Sequence, residues 1–463
     1  MLWIITTQLW GVRFTPSSAS DTIRGYRVIQ TSDGGYAIAG SFKTTTGTYP
    51  VYIKMDNNGN VQVVKRYSIT YLPTSLAQKA DTIVMVGPPP PYNSFIFILG
   101  INMNTGNVIY YRTVFNDNYT GAHFVGLIGG CFVITGHSRF NANTYYSPYR
   151  IRWCGTSINS FVSYYYDYNP YPPYGGPGYL RPYASGFYST SAVYTDDYHW
   201  WDVMVYRWDG TPALISIWRY YSIAYRREGG ADIVRLPNGN FIVIGGSEYW
   251  GTFVMKINGT NGNVISARSI SGNPALNNII LTPSGSGVLI SGSISSQEFI
   301  MRMDTNLNIS YLRSYGQGSR NYIIPTQDGY VLSLINSGNS LYVIKSDTLG
   351  NVSPSCQTSS LSIPSTNSIT PNFQNASFSS SSASPSVSSG SVSAFDLTLN
   401  ISSSCYPTPV SANEKGSLSL SKYYKVYTVD GRLVKEGFGS EIKLKRGLYI
   451  IKYGNKTEKI IIK

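Results

Sequence analysis

Residues 26–67 read YRVIQTSDGGYAIAGSFKTTTGTYPVYIKMDNNGNVQVVKRY. Short apolar runs at period two are separated by Asp33-Gly34-Gly35 and by Asn57-Asn58-Gly59-Asn60, residue types that tolerate positive φ and so make turns. The stretch is therefore a meander of four strands. One such sheet cannot bury both faces and needs neighbours of its own kind, so copies are expected along the chain.

The copies are present. The turn after the third strand recurs as Gly106-Asn107-Val108, Asp209-Gly210, Gly262-Asn263-Val264, Asn308-Ile309 and Gly350-Asn351-Val352, with a weaker copy closed by Gly155. Second strands ending in Gly recur at Gly87, Gly136, Gly245 and Gly292. Spacings of about 42 to 56 residues suit four strands and their loops per propeller blade. Seven units fit between residues 24 and 352, and the seventh has no room for a fourth strand before Pro354 and a serine tract. The run LWIITTQLWG at the N-terminus is expected to supply it, with residues 3–9 as the outer strand of the last blade. The fold class read from the sequence is all-β: a seven-bladed β-propeller over 1–352, a Ser-rich strand-forming linker over 353–411, and a small C-terminal β-sandwich over 412–463.

The DGGYAIAG and IKMDNNGNV pattern resembles the tandem propeller repeats of secreted prokaryotic proteins. The tail VYTVDGRLVKEG followed by GLYIIKYGNKTEKIIIK resembles the C-terminal sorting domain of the type IX secretion pathway, although SANEKGSLSL stands where that family opens with Pro-Asn-Pro. Those resemblances imply a secreted protein and an export or anchoring tail. Propellers host binding, structural and catalytic roles alike, so the fold implies no activity.

Composition bounds the rest. Only 13% of residues are charged while 14% are aromatic, with 40 Tyr and 45 Gly, a surface polar without being ionic. The net charge of +13 is uneven: residues 412–463 carry 12 Lys and Arg against 5 acids, and little excess is spread over the remaining chain, which argues against nucleic acid as a partner. No apolar run of about 18 residues exists, so nothing is expected to span a membrane by helix. Met1–Trp10 is apolar but has neither a basic start nor a small-residue cleavage site and does not read as a signal peptide.

Cys131 opens the second strand of the third unit and Cys154 closes its third, so the two are expected opposite each other in one hairpin; Cys356 and Cys405 bracket the serine tract and form the second expected pair. Such a framework points to an oxidising, extracellular compartment. No Cys-x-x-Cys occurs and there are 3 His, so no metal and no cofactor are expected. Sequons at Asn118, Asn258, Asn308, Asn351, Asn375, Asn400 and Asn455 permit glycosylation. Between the third and fourth units, Tyr164, Tyr165, Tyr166, Tyr168, Tyr171, Tyr174, Tyr179 and Tyr183 are interleaved with prolines. Flat rings held by proline suit stacking on sugars or a partner surface; the plainer reading is a loop packed on its own blade.

A cation recurs two residues before the turn that closes the third strand, as Lys54, Arg152, Arg207, Lys256, Arg302 and Lys345, with Gly100 in the second unit. It reads either as a positive ring around one mouth, able to hold an anion, or as a peg in each repeat, its head bonded to carbonyls or to the Asp two positions on. Residues 357–404 hold 19 Ser and one charged residue, Asp396, a linker composition; yet Phe395, Leu397, Leu399 and Ile401 alternate with polar residues as a strand does. No catalytic motif is visible, and the 23 Asp and Glu sit largely in turns, so an enzyme is not expected. The expected role is a secreted structural protein that polymerises head to tail with copies of itself through linker and tail, the alternative being a glycan-binding adhesin.

Overall fold

The computed structural model describes residues 9–87, 95–115, 120–139, 146–154, 157–166, 181–183, 186–193, 202–209, 214–222, 228–318, 321–352, 359–376, 378–383 and 386–403, and in the tail the strands within 417–462. It is all-β, a seven-bladed propeller. Blade 1 contains Thr22–Gln30, Tyr36–Lys43, Thr48–Met55 and Val61–Tyr67, hydrogen-bonded in chain order from the axis outward. Blades 2 to 6 repeat this plan, beginning at Ser75, Thr120, Arg181, Glu228 and Ala275. Among the described residues the first strands of blades 4, 5, 6, 7, 1, 2 and 3 touch in that order, and the contact between blades 7 and 1 joins the two ends of the repeat.

The repeat works because neighbours supply the missing faces. The second strand Tyr36–Phe42 is buried at every residue. One core joins blades 7 and 1 through Phe14, Leu341 and Val343 against Ile23, Ile38 and Ile53; others join blades 1 to 2, 2 to 3, 4 to 5 and 5 to 6. Each fully buried aliphatic side chain contributes about 1.5–3 kcal/mol, and these cores span blade boundaries as well as single blades.

Blade 7 contains Asn321–Pro325, Val331–Ser337 and Ser340–Ser346, and its fourth strand is Trp10–Pro16, paired antiparallel with the third from Trp10↔Lys345 to Phe14↔Leu341. The sequence reading placed this strand at residues 3–9; the paired residues start at Trp10, and residues 1–8 lie outside those described. The shift has a physical reason. Trp10, Val12 and Phe14 are the alternating set that fills the core between blades 7 and 1, and the Trp10 indole donates to the Asn57 carbonyl of blade 1 at 3.2 Å.

Nor is this strand outermost. Every blade has a fifth strand, and all seven come from the serine tract. Ser359–Ser360 pairs with the fourth strand of blade 6, Thr366–Ser368 with blade 5, Asn372–Ala376 with blade 4 and Phe378–Ala383 with blade 3. Ser386–Ser389 then pairs with blade 2, Ala394–Asp396 with blade 1 and Leu399–Ser403 with the N-terminal strand of blade 7. The tract is a belt that runs once round the ring against the order of the blades, always antiparallel to the strand it covers. Its backbone bonds are made to its own ring.

Beyond the belt, Ser417–Leu418 pairs with Ile442–Lys443, and a four-stranded sheet has the order Leu433–Gly437, Tyr424–Thr428, Gly447–Tyr453, Lys456–Ile462. No helix of the described residues is long and apolar enough to cross a membrane.

Candidate functional site

At the axis the first strands carry β-bulges at Gly25/Arg27 in blade 1, Ala122/Phe124 in blade 3, Gly230/Asp232 in blade 5 and Leu276/Asn278 in blade 6. A bulge turns the next side chain off the sheet's alternation. In blade 1 it places the Arg27 guanidinium 4.4 Å over the ring of Tyr322 in blade 7 and 5.5 Å from that of Phe124 in blade 3, with Arg27 only 3% exposed. In blade 5 the Asp232 carboxylate accepts from Ile233 N at 2.8 Å and from Ile279 N of blade 6 at 3.0 Å. In blade 6 the Asn278 amide donates to the Ile323 carbonyl and accepts from its N–H, at 2.9 and 3.0 Å. Asn336 of blade 7 does the same for Gly25 of blade 1. Side chains here bridge neighbouring blades where the first strands fan apart, and the Arg27 cation lies against rings of blades 7 and 3, an arrangement suited to holding a ring closed.

The repeated cations are on the third strands of their blades. Lys54 is fully buried; its Nζ lies 2.8 Å from Asp33 Oδ2 and 3.1 Å from Thr31 Oγ1. Lys345 repeats the arrangement with Asp328 Oδ2 at 2.5 Å, and Thr326 donates to the same carboxylate. The partner is thus the Asp of the first hairpin. The Asp two positions after the cation does something else: Asp56 accepts from Asn58 N, Asn60 N and Asn60 Nδ2 in its own turn, as Asp304 and Asp347 do in theirs. Lys256 donates to the Thr305 carbonyl of the next blade at 2.9 Å, and Arg302 reaches Ser286 Oγ at 3.4 Å. Arg152 and Arg207 are half-buried at the same place in blades 3 and 4. In blade 2 the ring of Tyr110 lies where a Gly100 side chain would be. Burial raises the carboxyls of Asp33 and Asp328, but the hydrogen bonds from Lys54 and Thr31, and from Lys345 and Thr326, outweigh it and hold both below the usual carboxylate range.

Three functional details escaped the sequence reading. The phenols of Tyr67, Tyr220 and Tyr315 donate to the carbonyls of Gly106, Gly262 and Gly350 in the next blade, at 2.9, 2.6 and 3.4 Å, so the recurrent peg between blades is tyrosine. Its signal was present in KRYS, RYYS and RSYG at the ends of fourth strands. Arg27 had no signal beyond Arg among apolar residues. Glu298 had none either: it is fully buried at the start of the third strand of blade 6, both carboxylate oxygens lack a hydrogen-bond partner, and burial pushes its pKa up to about 7.

Cys131 and Cys154 form a disulfide, with Cα atoms 4.5 Å apart across the hairpin. Cys356 and Cys405 lie outside the described residues, as do Asn118, Asn455, Tyr168, Tyr171, Tyr174 and Tyr179. Tyr164, Tyr165 and Tyr166 belong to no loop: they are in the fourth strand of blade 3, paired with Ser380, Ser379 and Phe378 of the belt, and Tyr183 is in the first strand of blade 4. Asn308 and Asn351 spend their amide nitrogens on Asp304 and Asp347, Asn258 caps its own turn, and Asn375 and Asn400 are exposed on the belt. Among the described residues no group of His, Cys, Asp and Glu is arranged to hold a metal ion.

No family model and no curated protein matches the chain. Solved structures are similar in fold. The Dos1 propeller shares 13% identity at a TM-score of 0.46, over 74% of this chain and 95% of that one. The periplasmic gluconolactonase of Pseudomonas aeruginosa shares 11% at 0.42, over 66% and 95%. The α-L-arabinanase of Penicillium chrysogenum shares 11% at 0.41, over 75% and 99%. Likeness at this level concerns the fold and carries no argument about activity.

Proposed function

We propose that the chain is a secreted structural protein of the cell surface or extracellular space, its propeller a sealed body and its C-terminal β-domain the means of joining other copies head to tail. The observation that carries this reading is the belt. Blade edges are where a propeller would template strand addition, and here all seven are covered by the protein's own chain. The contacts of Arg27 across blades and the interblade tyrosines serve the same end, a durable ring. The serine tract, expected from the sequence to join copies, is paired with its own ring, which favours the tail as the joining element. Open edges remain on the belt strands themselves, which are 2 to 6 residues long, and on the tail sheet, where Leu433–Gly437 and the 7-residue Lys456–Ile462 each have one partner among the described residues. A strand added there makes a heterologous contact, which propagates unless its rotation closes a ring. The disulfide and the resemblance of the tail to a sorting domain support an extracellular location.

The test is electron microscopy and light scattering of the oxidised chain, intact and ended at residue 403. Filaments or arrays from the intact chain alone are expected. Monodisperse monomer from the intact chain at high concentration contradicts the reading.

A further inference from the structure

We propose that the rim of the propeller is a ring of equivalent peptide-binding seats, one per blade, that read a seven-residue repeat, and that the serine tract is the chain's own ligand assembled from such repeats. The ligand class is an extended, nearly uncharged peptide that carries one triplet per blade: a small or apolar residue, then Ser or Thr, then an apolar residue. The belt has this triplet as LSI at 361, ITP at 369, ASF at 376, ASP at 383, GSV at 390 and LTL at 397, an interval of eight residues followed by four intervals of seven.

A repeated position in the ring matches the repeat in the belt. In the fourth strand of blade 1, Val64 is the residue one beyond the partner of Lys54; its counterparts in blades 2 to 6 are Tyr111, Phe161, Ile217, Ala267 and Leu312. Each of them meets the first residue of a triplet. Leu397 N donates to the Val64 carbonyl at 3.2 Å, Gly390 N to Tyr111 at 3.5 Å, and Ile369 N to Ala267 and Leu361 N to Leu312, both at 3.1 Å. Ala383 pairs with Phe161, and Ala376 with Ile217. The register also holds at the start of the belt strands. Thr366, Phe373, Ser380, Val387, Ala394 and Ile401 follow one another at intervals of seven and oppose one position of successive fourth strands, from Ile270 in blade 5 to Tyr67 in blade 1 and Phe14 in blade 7.

The triplet has a physical reading. Leu361, Ile369 and Leu397 pack on the cores that join blades 5 to 6, 4 to 5 and 7 to 1, and Val392 packs on the core that joins blades 1 and 2. Pro371 and Leu399 are buried, whereas the middle hydroxyls of Ser362, Thr370, Ser391 and Thr398 are exposed. The exception, Ile363 at 52% exposed, lies in the one interval of eight. Outer members thus turn into the seams between blades, and the residues between triplets supply backbone pairing, for which serine suffices. Seven extended residues reach at most about 23–25 Å, which bounds the arc from one seam to the next. A slip of one residue turns the seam residues outward; a slip of one whole repeat puts an equivalent residue in every seat.

Shortening the belt within the full chain tests this. Its start is tethered, because six residues separate Ser359 on blade 6 from Val352, which packs on Ile335 and Ile344 of blade 7. Removing a repeat therefore moves the later part of the belt. With residues 376–382 removed, Ser388 should pass from blade 2, where it opposes Thr113, to blade 3, where Ser381 opposed Ser163. Ser163→Cys with Ser388→Cys should then cross-link within one chain, and should not in the chain of full length or after removal of 376–381, which leaves the belt one residue out of step. Belt amides beyond the cut should exchange about 100-fold faster or more after the six-residue deletion, and less than about tenfold faster after the seven-residue one. A chain of full length with repeats 376–382 and 383–389 interchanged should keep belt exchange within about threefold of the unaltered protein, and it decides alone if the shortened chains do not fold. Capture of Ser388→Cys by Thr113→Cys after the seven-residue deletion, two deletions that behave alike, or an interchanged chain whose belt loses protection overturns the proposal.

Discussion

Lys54 shows how a repeat position becomes structural. Its ammonium is out of water and depends on Asp33 and Thr31, and the second glycine of the Asp33-Gly34-Gly35 turn is required because a side chain at Gly35 would stand 2.4 Å from the Met55 backbone carbonyl oxygen as well as from Lys54 Nζ. Asp33→Ala strips the ammonium of its counter-charge and should cost about 2–3 kcal/mol in urea unfolding; a loss under 0.5 kcal/mol would mean that the pair is incidental. Glu298 behaves in the opposite way. Its carboxyl is raised to about 7 from an unfolded value near 4.5, so the folded state keeps a proton that the unfolded state releases. That stability is fully present below about pH 4.5 and is lost as pH rises through about 7, an effect of roughly 3 kcal/mol. Glu298→Gln should remove this slope and raise the melting temperature at pH 8; a variant that follows the unaltered protein across this range contradicts the assignment. The spacing of the cations was legible because it repeats, whereas their partners were not. The Asp two positions away is closer in sequence, yet it is already occupied by its own turn, and only the folded hairpin brings Asp33 to Lys54.

At the scale of elements, the packing of one blade's fourth strand on the next blade's turn defines the spacing of the ring. Gly262 has φ +80, a side chain there would lie 2.6 Å from the Trp218 indole, and its carbonyl receives the Tyr220 phenol. Tyr220→Phe should cost about 1 kcal/mol by removing one hydrogen bond. Gly262→Ala, which must strain the turn and displace Trp218, should cost more. Equal losses in denaturant melts would show that backbone fit is not limiting. The repeated meander was readable because Asp-Gly and Asn-Gly turns are local. The belt was only half readable: the alternation of Phe395, Leu397, Leu399 and Ile401 signalled extended chain, but it divides between Ala394–Asp396 on blade 1 and Leu399–Ser403 on blade 7. Leu399 joins the core there, while Phe395 and Ile401 are 46% and 48% exposed. Serine strands are so poor in apolar area that their pairing comes from backbone bonds, which leave no trace in hydropathy. Side-chain ties help, as where Asn372 donates to the Ser222 carbonyl and Ser365 meets Ser271.

For the whole molecule, the central claim is that the serine tract encircles its own propeller in reverse order, one strand on each blade. A belt donated to a neighbour would instead allow polymerisation through the tract. Engineered cysteine pairs test this map directly. Ser269→Cys with Asn367→Cys joins blade 5 to the second belt strand, and Thr113→Cys with Ser388→Cys joins blade 2 to the fifth. Paired residues in an antiparallel ladder have Cα atoms about 4.5–5.5 Å apart, within disulfide range. Each pair should cross-link within one chain at high dilution, and the exchanged pair Ser269→Cys with Ser388→Cys should not. Cross-links that join two chains, or a blade 5 cysteine that captures Ser388→Cys in preference to Asn367→Cys, would contradict the account.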